Sequence, residues 1–366
     1  MCHATLEGKE PGMLFLTPQE SQTWTKLGRE TLEREAAPAD LRGQVRSNLW
    51  PAFCYYAGVQ LASRGGEGRA QKWFLAGSEA EEEGLFSNSF ISSFIERQGG
   101  KLCMPVVCFA DPAPYVHFTG VPALVSSRRN FVQYLGHSMP KLTHPLRFMD
   151  IGCGDGGLTV KLIQGLQAAG KAADVEEVML IDASPAMVEM STRIVGAAFP
   201  KAKIRSITGR IENVSEKIDA RYDVTICSLS YHHMPYDTKV AHLRRLRDKT
   251  DHFVLFELNA DNDFPEQYSP ELIFSIYQSY GRIIDFVFAH DAPLQTAQAC
   301  VDNFLMTEVA SMLTKPRGVR SDYHMLRLQW HDLFRKTLCP EFMCLGDATC
   351  YSDEYMDLFM LHYGRK

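Results

Sequence analysis

The 366-residue sequence contains no run approaching about 18 apolar residues, so no membrane-spanning helix is expected. Its first ten residues, Met-Cys-His-Ala-Thr-Leu-Glu-Gly-Lys-Glu, lack the basic start and apolar segment of a signal peptide, and a cytoplasmic protein is expected. Positive charge is not in excess. With 38 Lys and Arg against 44 Asp and Glu, the net charge is −6, which offers no overall basic field for nucleic acid or an anionic membrane. Neither partner is expected, and small-molecule chemistry is favoured. The ten cysteines include no CxxC pair and are scattered, with Cys153 and Cys227 inside core-like segments. They read as reduced structural thiols rather than a disulfide framework. Repeats and low-complexity segments are absent too.

What is present is an ordinary globular composition, 45% hydrophobic and 22% charged, on a chain long enough for two domains. Thr17-Pro18-Gln19-Glu20 forms a capping box that opens a helix with Trp24 and Leu27 on one face. Further helices are predicted over 39–63 and 69–97, the second carrying Glu79, Glu81, Glu82 and Glu83 as a solvated acidic face. Residues 101–110 and 115–119 read as strands or extended connections, and Ser126-Ser127-Arg128-Arg129 reads as the start of a helix.

From residue 146 the pattern alternates strictly. Strands are predicted at 146–152, 177–183, 203–208, 222–230 and 252–258, with helices at 156–169, 185–198 and 237–249. Such alternation implies a doubly wound, mostly parallel sheet. The region from about 260 to 321, with helices near 269–280 and 293–314, is more than the sheet requires and suits a lid over a substrate. A helix over 322–338 and two segments at 342–350 and 355–363 complete the chain. The division expected is a mainly helical domain over 1–145 and an α/β domain over 146–366.

The sheet is organised around residues 146–160, Leu-Arg-Phe-Met-Asp-Ile-Gly-Cys-Gly-Asp-Gly-Gly-Leu-Thr-Val. An apolar strand turns on glycines into a helix start, which brings backbone N–H groups within reach of a ligand. The spacing Gly152-x-Gly154-x-Gly156, with Asp150 two residues upstream, differs from the dinucleotide fingerprint. It resembles the Asp-x-Gly-x-Gly-x-Gly signature of class I S-adenosylmethionine (SAM) methyltransferases. That resemblance implies a Rossmann-like doubly wound sheet, an α-helical N-terminal domain and SAM as cofactor.

A carboxylate at the end of the second strand, Asp182, can accept hydrogen bonds from both ribose hydroxyls; the resemblance assigns it that role. Met187, one turn into the next helix, either lies against the adenine or packs in the core. The third strand ends Thr208-Gly-Arg-Ile-Glu212, with Arg210 where the family often has an Asp for the adenine amino group, while Ile211 still fits the apolar contact. The fourth strand ends in Ser228, near the expected methionine moiety.

Tyr231-His232-His233-Met234-Pro235 follows that strand directly, and His290 and His324 stand on other loops. Imidazoles from three loops meeting in one cleft would suit Zn²⁺ or Fe. The His pair, the arginines at 128 and 129 and the segment 317–327 resemble the α-keto acid C-methyltransferases of bacterial natural-product pathways. The resemblance implies a histidine-bound metal; His233, preferred narrowly over His232, and His290 are the expected ligands, with His324 a third ligand or the partner that orients one. It also implies an arginine for the substrate carboxylate. Arg128 is preferred over Arg129, since adjacent helical residues cannot both face the cleft. The reaction implied is methylation of a 2-oxo acid at C3 through a metal-stabilised enolate, with 5-guanidino-2-oxopentanoate the preferred substrate. Two alternatives stand beside it: an O-methyltransferase with His232 or His233 as general base, and a cofactor-binding scaffold acting through its N-terminal helices. A homodimer through those helices is also expected.

Overall fold

The computed structural model describes residues 14–105 and 113–366. Thr17 caps α1 (Pro18–Glu33) reciprocally: its hydroxyl accepts from the Glu20 amide at 3.3 Å, and the Glu20 carboxylate accepts from the Thr17 amide at 2.8 Å. Trp24 and Leu27 then face inward. The helix predicted over 39–63 is divided into α2 (Pro38–Leu41), two short turns and α3 (Trp50–Ala62), which is buried on every side. The helix predicted over 69–97 also divides, into α4 (Glu67–Ser78) and α5 (Asn88–Arg97). Glu81 is the reason. Instead of joining a solvated face, its carboxylate accepts from the Ser87 and Asn88 amides at 3.2 and 3.1 Å and so caps α5.

Residues 115–119 are helical, within α6 (Ala113–Gly120), rather than extended; 106–110 of the other extended segment lie outside the described residues. The next helix, α7 (Pro122–Ser138), starts four residues before Ser126, because Pro122 pre-sets the first turn. Ser126 and Ser127 are therefore interior to it, and Ser127 Oγ donates to the Leu124 carbonyl at 2.9 Å instead of capping.

The rest of the chain forms β1 (Leu146–Ile151), α8 (Gly157–Ala168), β2 (Val175–Asp182), α9 (Pro185–Ala198), β3 (Lys203–Thr208), α10 (Ile211–Val214), β4 (Tyr222–Ser228), α11 (Tyr236–Leu246) and β5 (Thr250–Leu258). There follow α12 (Pro270–Ala289), α13 (Leu294–Cys300), a π turn at Val301–Leu305, α14 (Met306–Thr314), α15 (Arg327–Thr337), β6 (Phe342–Ser352) and β7 (Asp357–Arg365). The seven strands run in the order β3-β2-β1-β4-β5-β7-β6, with β7 antiparallel to both neighbours and the first five strands parallel. Since β1 leads outward to β2 and β3 and the chain then returns to β4, the sheet reverses between β1 and β4. A doubly wound sheet opens its ligand crevice at that point.

Side chains alternate between the two faces. Phe148, Leu180, Ile226 and Phe256 join a core that also holds Trp24, Phe53 and Leu272; Met149, Ile181, Cys227 and Leu255 join a second core with Trp330. The insertion is thus more than a lid. Its first helix, α12, packs Phe274 edge-on against Trp24 and Tyr277 at a tilt against Tyr55, with ring centroids 5.8 and 5.5 Å apart, and is part of the main core. No helix among the described residues is long and apolar enough to cross a membrane.

Candidate active site

At the switch point Ile151 pairs with Ile181 on one side and Cys227 on the other, so the glycine loop emerges between the ends of β2 and β4. The loop needs its glycines. Gly152 has φ +77° and a Cβ there would overlap Ser230; Gly154 has φ +51° and a Cβ would overlap the hydroxyl of Tyr115. Asp182 accepts from the Gly154 amide at 3.0 Å and the Ser184 amide at 2.9 Å, and burial raises its carboxyl above the ordinary range.

These residues line a cavity of about 590 Å³, joined by Met187, Ile211 and Ser228. Arg210 stands at its edge, its Nε 2.6 Å from Glu212 Oε1, while a terminal amine donates to the His233 carbonyl at 2.8 Å. The arginine thereby ties the end of β3 to the loop after β4. Asp150, expected among the cofactor contacts, does not line the cavity. It is buried beneath the loop, accepts from the Thr159 hydroxyl on α8, and its carboxyl is pushed up to about 7 by burial.

The same cavity reaches a buried polar cluster. His232 and His233 follow β4, Glu257 closes β5, Tyr280 comes from α12, Glu308 from α14, and Asp322 and His324 from the segment before α15. The predicted helix over 322–338 begins only at Arg327, and the residues before it run extended against the β4 loop. The Tyr323 amide donates to the His232 carbonyl at 2.7 Å, and the His324 carbonyl accepts from the Asn262 and Asp263 amides at 2.9 Å each. In an extended chain residues two apart share a side, which turns Asp322 and His324 together onto the cavity.

His232 Nδ1 lies 2.9 Å from Glu257 Oε2, and its ring stacks on His324 with centroids 4.0 Å apart. His233 Nδ1 lies 2.9 Å from Asp322 Oδ1. Tyr280 donates to Glu308 Oε2 at 2.6 Å, with its hydroxyl 3.1 Å from His324 Nε2. Burial, helped by His324, drops the His232 imidazole to about 3. Burial opposes charge on His233 as well, but Asp322 outweighs it and raises that ring to about 9. Burial and the Asp322 charge push the Glu308 carboxyl up to about 8. Burial alone would raise Glu257, yet His232 and His324 hold it well below the usual carboxylate range. Among the described residues, the buried His232 Nε2 and His324 Nδ1 have no hydrogen-bond partner.

Of the expected metal ligands, His233 and His324 meet in this cluster and His290 does not. Because α12 runs on to Ala289, His290 lies ten residues beyond Tyr280, about 15 Å along the helix, where its ring stacks on His117 with centroids 5.0 Å apart. Arg128 lines the cavity and its buried Nε has no partner among the described residues, whereas Arg129 is exposed and bonds Ser126. Sequence reasoning singled out none of Tyr115, Glu257, Tyr280, Glu308 and Asp322 as site residues. A signal existed for two of them: Glu257 and Glu308 are acidic residues in otherwise apolar buried segments, where a charge needs a partner.

Residues 148–250 match the family model described as a methyltransferase domain. No curated protein matches the chain. Among solved structures it is similar to SCL7 of Oryza sativa, with a TM-score of 0.59 and 11% identity over 95% of this chain and 100% of that one. It is also similar to the SAH-bound magnesium protoporphyrin IX methyltransferase of Synechocystis PCC 6803 (TM-score 0.40, 13% identity, 76% of this chain and 99% of that one). The trans-methyltransferase CalH in complex with SAH gives a TM-score of 0.43 at 16% identity, over 85% and 74% of the two chains. The sheet has the Rossmann-like architecture, with the ligand crevice at its switch point. The match to a methyltransferase domain runs from β1 to the start of β5, the part of the sheet that frames this crevice.

Proposed function

We propose that the chain transfers the SAM methyl group to C3 of a 2-oxo acid, with a protein-bound transition metal beside the acceptor. One observation carries the reading: the cofactor loop and a buried cluster of imidazoles and carboxylates open on the same cavity. The donor set fits a metal. His232, His233, Glu308 and Asp322 each offer an atom within 4.8 Å of the others, and His232 Nε2 is a buried donor with nothing else to bind. Mixed imidazole and carboxylate donors suit Fe or Zn²⁺. His324 belongs to a second candidate group, with His232 and Glu257.

Such an ion would supply Lewis acidity that lowers the C3–H pKa of a 2-oxo acid. SAM would supply a methyl group on a sulfonium centre. The remaining work belongs to the protein. Asp182 and the glycine loop place the cofactor, Arg128 reaches into the cavity from α7 as a receiver for the acceptor's carboxylate, and apolar walls from Leu124, Phe304 and Leu305 exclude water. Holding both reactants in one cavity would account for much of the rate.

The His232–Glu257 pair supports a second reading, a general base for O-methylation. Deuterium exchange separates the two. Incubated in D₂O with a 2-oxo acid such as 5-guanidino-2-oxopentanoate and no SAM, the metal-loaded protein is expected to exchange the C3 protons. Exchange no faster than in buffer would favour the O-methyltransferase.

A further inference from the structure

Glu257 is the penultimate residue of β5, a strand whose neighbours Phe253, Val254, Leu255, Phe256 and Leu258 are all buried and apolar. A fully buried carboxylate in such a strand is costly unless every oxygen is used. Here both are used, and both reach the His232 ring, Oε1 at 3.2 Å from Nδ1 and Oε2 closer. Oε1 accepts from the backbone amides of Ser230, Tyr231 and His232 at 3.1, 3.1 and 3.3 Å. These are the residues that follow Leu229, which leaves β4 in the left-handed region at φ +48°. Oε2 faces the His232 ring, 2.9 Å from Nδ1.

We propose that Glu257 is a positioning residue that fixes His232 in its Nδ1–H tautomer and so presents the Nε2 lone pair to the cavity. The inference rests on the proposed function only in the use made of that lone pair. The chemistry is short. An ionised carboxylate can accept hydrogen bonds but has none to give, so the nitrogen facing it must carry the proton. In a neutral imidazole the other nitrogen then holds the lone pair. That nitrogen, Nε2, is buried without a partner and lies 3.9 Å from Asp322 Oδ1, inside the candidate donor set. The backbone is held from the opposite side as well, where the His232 carbonyl accepts from Tyr323. Ring and main chain are therefore both constrained, and the tautomer is set by Glu257.

Glu257→Gln tests this with almost no change in volume. The three amide donors keep the Gln oxygen where Oε1 was, which puts the NH₂ group opposite His232 Nδ1. Because the NH₂ takes the shorter of the two carboxylate contacts to Nδ1, Nδ1 accepts and the proton moves to Nε2, where it blocks ligation. Long-range ¹H–¹⁵N NMR of ion-free, histidine-labelled protein reads the tautomer, with His232→Gln assigning the signal. Expected are Nδ1–H in the wild type and Nε2–H in Glu257→Gln. Zn²⁺ affinity by chelator competition should fall about 10- to 100-fold, the usual effect of losing such a partner, with SAM affinity unchanged.

A wild-type Nε2–H tautomer would overturn the inference, as would a Glu257→Gln protein that keeps Nδ1–H or keeps its Zn²⁺ affinity. An equal loss of SAM affinity would also overturn it, since Glu257 would then be holding the loop rather than the ring. Should Glu257→Gln not fold, the wild-type spectrum decides alone. If the tautomers behave as expected but Zn²⁺ binds neither protein, the metal reading fails and the positioning role stands.

Discussion

Asp182 and Gly154 are joined by one hydrogen bond, and each fails in its own way when changed. Asp182→Ala removes a charged acceptor from the ribose position, an interaction worth about 2–3 kcal/mol. A calorimetric titration of SAM should show affinity weakened correspondingly, about 30- to 150-fold. Wild-type affinity would sink the ribose assignment. Gly154→Val should abolish binding outright, because its Cβ would overlap the Tyr115 hydroxyl at a φ that β-branched residues avoid. Asp150 behaves differently. Burial raises its carboxyl from 3.8 to about 7, so over that window the native state holds a proton that the unfolded chain has released. Wild-type stability therefore falls as pH rises from about 4 to about 7. Asp150→Asn keeps an acceptor for Thr159 and has no such slope. Its advantage in urea unfolding should grow between about pH 5 and pH 8, by on the order of 1–4 kcal/mol. A pH-independent difference would contradict this. Residues such as Asp182, Gly154 and Arg128 were legible because a strand end or a helix face fixes where they point. Asp150 sits beneath the loop instead of lining the cavity, since the motif that contains it says nothing about which atoms face that cavity.

Among the elements, those with a strong period or a glycine break were legible, and β1 to β5 fall within a few residues of expectation. The segment before α15 was not. Its residues 322–326 carry an apolar, helix-compatible pattern, but their amides and carbonyls are taken by the loops at 232 and 262–263. Long-range pairing of that kind leaves no local trace, and it is what carries Asp322 and His324 into the site. Lys239 anchors it: the buried ammonium is 3.1 Å from Asp263 Oδ2 and also donates to the Tyr323 carbonyl, while Arg317 bonds Asp263 from the rim. Removing one partner of a buried ion pair costs about 3–5 kcal/mol. Asp263→Asn should destabilise the chain by that order in urea, and adding Lys239→Met should recover part of the loss. Full additivity of the two changes would mean that the charges are not coupled.

For the molecule as a whole, the helices of 14–138 pack into the same core as one face of the sheet, and four of their residues, Tyr115, Phe118, Leu124 and Arg128, line the cavity. The two halves differ in composition and period, and the core they share arises from shape, which periodicity does not report. Three of the tryptophans, Trp24, Trp50 and Trp73, sit in that shared core, and Trp330 sits in the core on the other face. Single-tryptophan variants that report from either side should therefore unfold with the same midpoint in guanidinium. Two separated midpoints would show that the faces melt independently.

The central claim is that one cavity joins SAM to an acid activated beside a histidine- and carboxylate-bound metal. Methyl transfer tests it most directly. Metal-loaded protein, given methyl-labelled SAM and a 2-oxo acid, is expected to place the label on C3, as read by NMR of the product. Chelator-stripped protein should still bind SAM but lose that turnover, and recover it when the metal is restored. Label on an oxygen, or turnover indifferent to stripping, would contradict the claim.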